Sequence, residues 1–136
     1  MLYEWLKDYH QLIESISYLE FNLKRSETEL KRWIYGDLQG VKLAEESIAS
    51  DLEEKIEKLK DEIQLKKNQL NELINLVDTF KGLENKILKM KYIDGLNLEE
   101  IAEELNYSAS HIRKKHAELV RTIKFIEMYH SCSPTK

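Results

Sequence analysis

The sequence contains few of the residues that interrupt helices or cross-link chains: 1 proline, 4 glycines and 1 cysteine among 136 residues. Helix interiors tolerate proline and glycine poorly, so their scarcity predicts a mostly helical protein. The single cysteine, Cys132, excludes an internal disulfide and fits a reducing compartment. No apolar run exceeds three residues, which excludes a transmembrane span and predicts no membrane partner.

Signals for secretion, cofactors and catalysis are also missing. The stretch MLYEWLKDYH has no basic segment followed by an apolar one, so no secretory signal is predicted and the expected location is the cytoplasm. There is no glycine-rich phosphate loop. The 4 histidines lack metal-ligand spacing, and Cys132 lacks the histidine and acid of a catalytic motif. No metal, no cofactor and no enzymatic activity are therefore expected.

The net charge of −4 hides an uneven distribution. Residues 1–80 carry 11 basic and 17 acidic side chains, whereas residues 81–136 carry 10 basic and 8 acidic side chains. Positive charge is therefore concentrated near the C-terminus, where a DNA contact would need it.

Two long heptad repeats of apolar residues occupy the first part of the chain. The first spans residues 2–33 and is interrupted only at Ser26; the second spans residues 49–80 and is interrupted only at Lys66. A short polar turn flanked by glycines separates them. Their similar lengths predict an antiparallel coiled-coil helical hairpin over residues 1–80.

Additional apolar residues widen these two seams at the open end of the hairpin. An isolated pair of helices would leave them exposed, so another surface is expected to cover them. A second protomer is the favoured expectation, giving a homodimer through the hairpin. The alternative is a monomer whose C-terminal unit covers the same residues. The residues concerned are Leu6, Ile13, Ile74 and Leu76.

The rest of the chain predicts three shorter helices that end in a helix-turn-helix unit. Asn97 and Glu100 have capping-box spacing, Asn106 tolerates the left-handed conformation of a sharp turn, and Ser108 can cap the last helix. Helices are expected near residues 2–35, 43–80, 83–92, 98–105 and 109–128. The expected domains are a hairpin at 1–80, a helix-turn-helix domain at 83–130 and a flexible tail at 131–136.

The last helix carries a small and basic face opposite its predicted core residue Ile112. Residues near its N-terminus are placed to contact base edges in a major groove, and basic residues farther along or on the flanks suit phosphates. The alternative is a solvated basic face without a ligand. The predicted DNA contacts are Arg113 and Lys114 to bases, Lys115, Arg121 and Lys124 to phosphates, and the small residues Ser110 and Ala117.

Residues 83–123, LENKILKMKYIDGLNLEEIAEELNYSASHIRKKHAELVRTI, resemble sigma factor region four. Asn106 departs from the family's usual turn glycine. His116 replaces an expected apolar residue, so the last helix is expected to pack less tightly or to form a hydrogen bond there. A helical hairpin ahead of such a unit is similar to small phage regulators of the ArpU type, which are associated with late-gene transcription in phages and prophages of Gram-positive bacteria. The matching landmarks are Gly95, Ile101, Ala102, Leu105, Ser108 and Ile112.

Three functions remain open from these observations. The leading hypothesis is a transcriptional regulator that binds double-stranded DNA and contacts protein partners through its hairpin, with RNA polymerase as a candidate partner. The second is an interaction module that binds polymerase or another regulator with little DNA contact. The third is a phage packaging or replication protein that recognises DNA. Strong salt dependence of DNA binding would separate the first and third from the second.

Overall fold

The computed structural model describes residues 2–35 and 42–132, and every regular element in these two ranges is helical. The predicted all-α fold class is confirmed. None of the helices in the described ranges has the length and apolarity needed to cross a membrane. The elements are α1 Leu2–Lys7, α2 Tyr9–Tyr35, α3 Lys42–Thr79, α4 Gly82–Leu88 followed by a π-helical turn Lys89–Ile93, α5 Leu98–Leu105 and α6 Ala109–Cys132.

The chain forms two compact units whose boundary differs from the expected one. Unit 1 comprises Met1–Gln11 and Gln69–Lys136, and unit 2 comprises Leu12–Asn68. These units divide the chain at other positions than the predicted domains 1–80 and 83–130, which stay a prediction. Helix α1 packs against α6, and within unit 1 the side chains of Leu6 and Val77 are only 0% and 1% exposed. The start of the first predicted hairpin helix and the end of the second thus both contribute to the core of unit 1.

Both apolar seams are located as predicted. Every position of the two repeats is buried or half-buried. The interruptions fit the same pattern, since Ser26 is 3% exposed. The Lys66 side chain keeps 27% exposure and its Nζ lies 3.6 Å from Glu62 Oε2. A lysine can lay its aliphatic stem along an apolar seam while its charge remains in water.

Within unit 2, α2 and α3 run antiparallel. Lys67 Nζ lies 3.0 Å from Glu20 Oε2, so the helices are adjacent at this level. In a parallel arrangement the end of α2 and the start of α3 would be roughly 60 Å apart, since a helix rises about 1.5 Å per residue. The connection at residues 36–41 can span only about 25 Å. The conformation of these connecting residues, the predicted turn, lies outside the described part of the chain.

Two helix boundaries differ from the sequence expectation. The helix predicted over residues 2–35 is interrupted at Asp8, whose backbone N–H is shared between the carbonyls of Glu4 and Trp5, each 3.1 Å away. This shared bond tightens the last turn of α1 before α2 begins. Helix α6 continues to Cys132, beyond the end that was predicted near residue 128. Residues 133–136 lie outside the described ranges.

The apolar residues that motivated the homodimer are not all available to a partner. Leu6 and Leu76 are 0% and 8% exposed, whereas Ile13 and Ile74 retain 36% and 38%. Leu6 and Leu76 belong to the core of unit 1 and cannot form a dimer surface while that unit is folded. The structure therefore shows that Leu6 and Leu76 are buried within a single chain.

Candidate nucleic-acid interface

A π-helical turn redirects the chain between α4 and α5. The N–H of Asp94 bonds the carbonyl of Lys89 at 2.9 Å, and the N–H of Leu96 bonds that of Met90 at 2.9 Å. Gly95 then adopts a φ of +82°, a left-handed conformation that a side chain would strain. The single helix predicted over residues 83–92 is therefore an α-helix that widens in its last turn.

Helix α5 begins with the predicted capping box. The side chain of Asn97 accepts the N–H of Glu100 at 2.8 Å, and the Glu100 carboxylate accepts the N–H of Asn97 at 2.9 Å. Two backbone donors that a helix start leaves unpaired are thereby satisfied. The start of α5 is thus determined by local side chains.

The turn between α5 and α6 also follows the sequence expectation. Asn106 ends α5 in the left-handed region with a φ of 61°. The N–H of Tyr107 returns to the carbonyl of Ala102 at 2.9 Å. Ser108 Oγ accepts the N–H of His111 at 3.1 Å and so caps α6. Three residues therefore separate the two helices of the helix-turn-helix.

A shared apolar core sets the orientation of α6. Ile101 of α5 is 0% exposed, and Ile112, Leu119 and Ile123 of α6 are 0%, 1% and 0% exposed. These α6 residues recur at helical spacing on one face. The opposite face of the same helix consequently points to solvent.

His116 forms the hydrogen bond that its polar character required. Its Nε2 lies 2.7 Å from the hydroxyl of Tyr92, and the two rings stack with centroids 5.8 Å apart. Burial lowers the pKa of His116, and the nearby charge of Lys91 lowers it further. Burial also raises the pKa of Tyr92, with a contribution from its hydrogen bond to Tyr3. Both shifts favour the neutral forms of the two side chains, whose contact joins the π-helical turn to α6.

The exposed face of α6 contains four of the predicted DNA contacts. All four are exposed and lie within about 40° of the direction opposite Ile112, taking 100° per residue. They combine two basic side chains with two small ones that allow close approach to another surface. These residues are Ser110, Lys114, Ala117 and Arg121.

The other three predicted contacts are engaged by groups of unit 1. Arg113 Nη1 lies 3.1 Å from Glu99 Oε2 of α5. Lys115, which is half-buried, has its Nζ 3.9 Å from Glu118 Oε1. Lys124 Nζ lies 5.2 Å from the ring centroid of Tyr3 in α1. Arg113, Lys115 and Lys124 would have to give up or share these partners to contact DNA.

The geometry of α4 to α6 agrees with a comparison to known families. Residues 78–124 match the model of Sigma-70, region 4. This segment is a sigma region 4-like helix-turn-helix, and domains of this family bind DNA and RNA polymerase and are not catalytic. The match covers about a third of the chain. No curated protein and no solved structure matches the sequence.

Two features of the region 4-like unit were missed from the sequence. Tyr107 and His111 stack with ring centroids 5.0 Å apart at the start of α6, and Tyr107 is 46% exposed. Their spacing of four residues across a helix start was a visible signal for this contact. The pairing of Glu99 with Arg113 had no such signal, because the two residues belong to different helices.

The second half of α6 presents an apolar surface to solvent. Phe125, Met128 and Tyr129 are 61%, 57% and 67% exposed. They continue the side of α6 on which Arg121 lies. The outward face of this helix is therefore basic as far as Arg121 and apolar beyond it, and the charge of the basic part suits DNA.

Proposed function

We propose that this chain is a DNA-binding transcriptional regulator in which α6 contacts the major groove. The observation that carries the proposal is the exposed stripe of Ser110, Lys114, Ala117 and Arg121 on the second helix of a sigma region 4-like helix-turn-helix. In such units the N-terminal part of the second helix contacts base edges. Arg113 joins this set when DNA displaces Glu99.

The charge distribution supports an approach through α6. The exposed side chains of α5 include Glu99, Glu103 and Glu104, which repel phosphates. The first half of α6 instead has cations on its exposed face. DNA binding should therefore depend on a small set of α6 residues and on salt concentration.

We propose further that the regulator is phage or prophage encoded, of the ArpU type, and acts with RNA polymerase. A helix-turn-helix of this size buries only about 600–1,000 Å² against DNA. Specificity then needs a second recognition unit, either a second protomer or polymerase.

A homodimer through the N-terminal hairpin remains our proposal, with the partly exposed Ile13 and Ile74 as its remaining apolar candidates. Sedimentation equilibrium tests it: a chain that stays monomeric at tens of micromolar would leave polymerase as the source of specificity.

The direct test is selection of bound fragments from the source genome, followed by fluorescence anisotropy on a selected site. Arg113→Ala and Lys114→Ala should each weaken specific binding by about 1–3 kcal/mol. Lys124→Ala should weaken binding to all DNA sequences alike. It should also lower the slope of log binding constant against log salt concentration by about one unit. Lys60→Ala, an exposed lysine of α3 in unit 2, is the matched control. Unchanged affinity in both α6 base-contact variants would refute DNA recognition by this helix.

The apolar end of α6 favours a second candidate function. Exposed Phe125 and Met128 suit a protein surface better than DNA. In this alternative the region 4-like unit binds polymerase or another regulator and makes little DNA contact. Phe125→Ser would then abolish partner binding, while substitutions at Lys114 would change little. Promoter-dependent transcription with purified polymerase separates the two functions, because only the first requires Lys114.

A further inference from the structure

Helix α2 has a second heptad row on the side that faces away from its buried seam. Its members follow one another at steps of three and four residues, the spacing that lets one helix pack along another. Three members are aromatic side chains, Tyr18, Phe21 and Tyr35, which are 66%, 59% and 79% exposed. The complete row, which we term the α2 outer row, is Tyr18, Phe21, Arg25, Thr28, Arg32 and Tyr35.

Positive charge is concentrated around this row. Lys24, Arg25, Lys31 and Arg32 lie within nine consecutive residues that also contain Glu27 and Glu29, so four basic and two acidic side chains give this stretch a net charge of +2, in a chain whose net charge is −4. Within the described part of the chain, neither Lys24 nor Arg25 has an ion-pair partner. A shallow groove of about 500 Å³ runs between these side chains, lined by Phe21, Lys24, Arg25, Thr28, Glu29 and Arg32.

The corresponding outer face of α3 has the opposite character. It carries Asp51, Glu54 and Asp61, and its Lys58 is paired with Glu54 at 3.7 Å. The large apolar side chain on this outer face of α3 is that of Leu65, which is 56% exposed. The basic and aromatic composition is therefore particular to α2 and is not a general feature of the exposed helix faces in unit 2.

We infer that the α2 outer row binds an acidic amphipathic α-helix of a partner protein. The heptad spacing matches the side-chain rows of a second helix, the aromatic residues provide anchors that lose water on contact, and Arg25 can pair with a carboxylate in two-pronged geometry. This inference specifies the protein contact that the proposed function assigns to the hairpin.

Two other occupants fit the observations less well. Contacts to duplex DNA on a convex helix would be mainly to phosphates, which gives no role to three exposed aromatic rings. A second copy could place the acidic face of its α3 on the α2 outer row. That contact joins different surfaces of the two molecules, so it would continue into an open assembly unless the geometry closed it into a ring.

The test uses the full chain and a labelled synthetic peptide of four heptads, with Leu at positions a and d and Glu at e and g. Repulsion between its glutamates discourages pairing of the peptide with itself. Fluorescence anisotropy should show saturable binding that weakens as salt is raised. A peptide with Lys in place of Glu should not bind.

Paired variants locate the contact. Phe21→Ser combined with Arg25→Glu should weaken peptide binding at least about tenfold, because an aromatic anchor and a cation are lost together. Leu65→Ser combined with Lys58→Glu makes equivalent changes on the outer face of α3 and should leave binding within about twofold. Circular dichroism of both variants should match the unsubstituted chain and so exclude loss of fold.

Absence of peptide binding, or equal weakening by the two double variants, overturns the inference. Salt-sensitive self-association in sedimentation that only the α2 variant loses would assign the row to a second copy. A DNA-binding salt slope lowered by about one unit in the α2 variant would assign it to DNA. Both results overturn the acidic-helix partner. Intact DNA binding without peptide binding refutes this inference alone, whereas peptide binding without any DNA binding refutes the proposed DNA function and leaves the docking face intact.

Discussion

Replacement of Glu99 by glutamine is expected to tighten DNA binding, although the residue lies on the helix before the recognition helix. In the free protein, Glu99 Oε2 lies 3.1 Å from Arg113 Nη1. A base contact by Arg113 requires this ion pair to be broken or shared. The pair is well exposed, with 54% of the arginine and 66% of the glutamate side chain accessible. An ion pair in this setting contributes about 0.2–1 kcal/mol.

The expected gain in affinity follows from that value. Removing the competing charge should lower the dissociation constant by a factor of about 1.5 to 5. Glu103→Gln is the matched control, because Glu103 is also exposed on α5 and its replacement changes the net charge equally. Anisotropy on a selected site, at several salt concentrations, separates the effect of losing the Glu99–Arg113 ion pair from the effect of removing one negative charge from α5.

A double-mutant cycle provides the stricter measurement. Arg113→Ala should cost more binding energy in the Glu99→Gln protein than in the unsubstituted one, by the same 0.2–1 kcal/mol or so. Weaker DNA binding by Glu99→Gln would refute the reasoning and show that Glu99 orients Arg113 for its contact. Equal gains from Glu99→Gln and Glu103→Gln would show that only overall charge matters.

Three further predictions concern the stability of the helix-turn-helix unit. Asn106→Val should cost about 1–2 kcal/mol in urea unfolding because its φ is +61°, whereas Asn106→Gly should be nearly neutral. Ile112→Ala should cost about 2–5 kcal/mol, measured in the same way, because the side chain is fully buried. The folded state lowers the pKa of His116 through burial and through Lys91, so the unfolded chain binds the proton more readily. The contribution of His116 to the free energy of unfolding is complete above its ordinary pKa of about 6.5 and is lost as pH falls below it. A His116→Gln protein whose free energy of unfolding had the same pH dependence between about 7.5 and 5.5 would contradict this.

Much of the fold could be predicted from the sequence because it depends on residues close together in the chain. The helix seams follow from the spacing of apolar residues, and all their positions are buried or half-buried. The capping box of Asn97 and Glu100 and the left-handed Asn106 are similarly local. Each involves groups within one helical turn, so residue type and spacing are sufficient evidence.

Other features depended on which surfaces meet, and these were predicted incompletely or not at all. Leu6 could be recognised as a residue that needed covering, but not as part of the core of unit 1. The polar character of His116 indicated a hydrogen bond, but not its partner Tyr92. No local pattern indicated that Glu99 would hold Arg113.

Residue type and spacing are sufficient to predict that the protein is helical, where most of its helices begin and end, and that α6 has a small and basic face opposite Ile112. Which cations on α6 are available to a ligand and which are engaged depends on the folded unit, because Glu99 and Tyr3 come from other helices. The difference lies in the range of the interactions. Helix formation and capping act over a few residues of chain, whereas the neighbours of a surface charge are set by the packing of the whole unit.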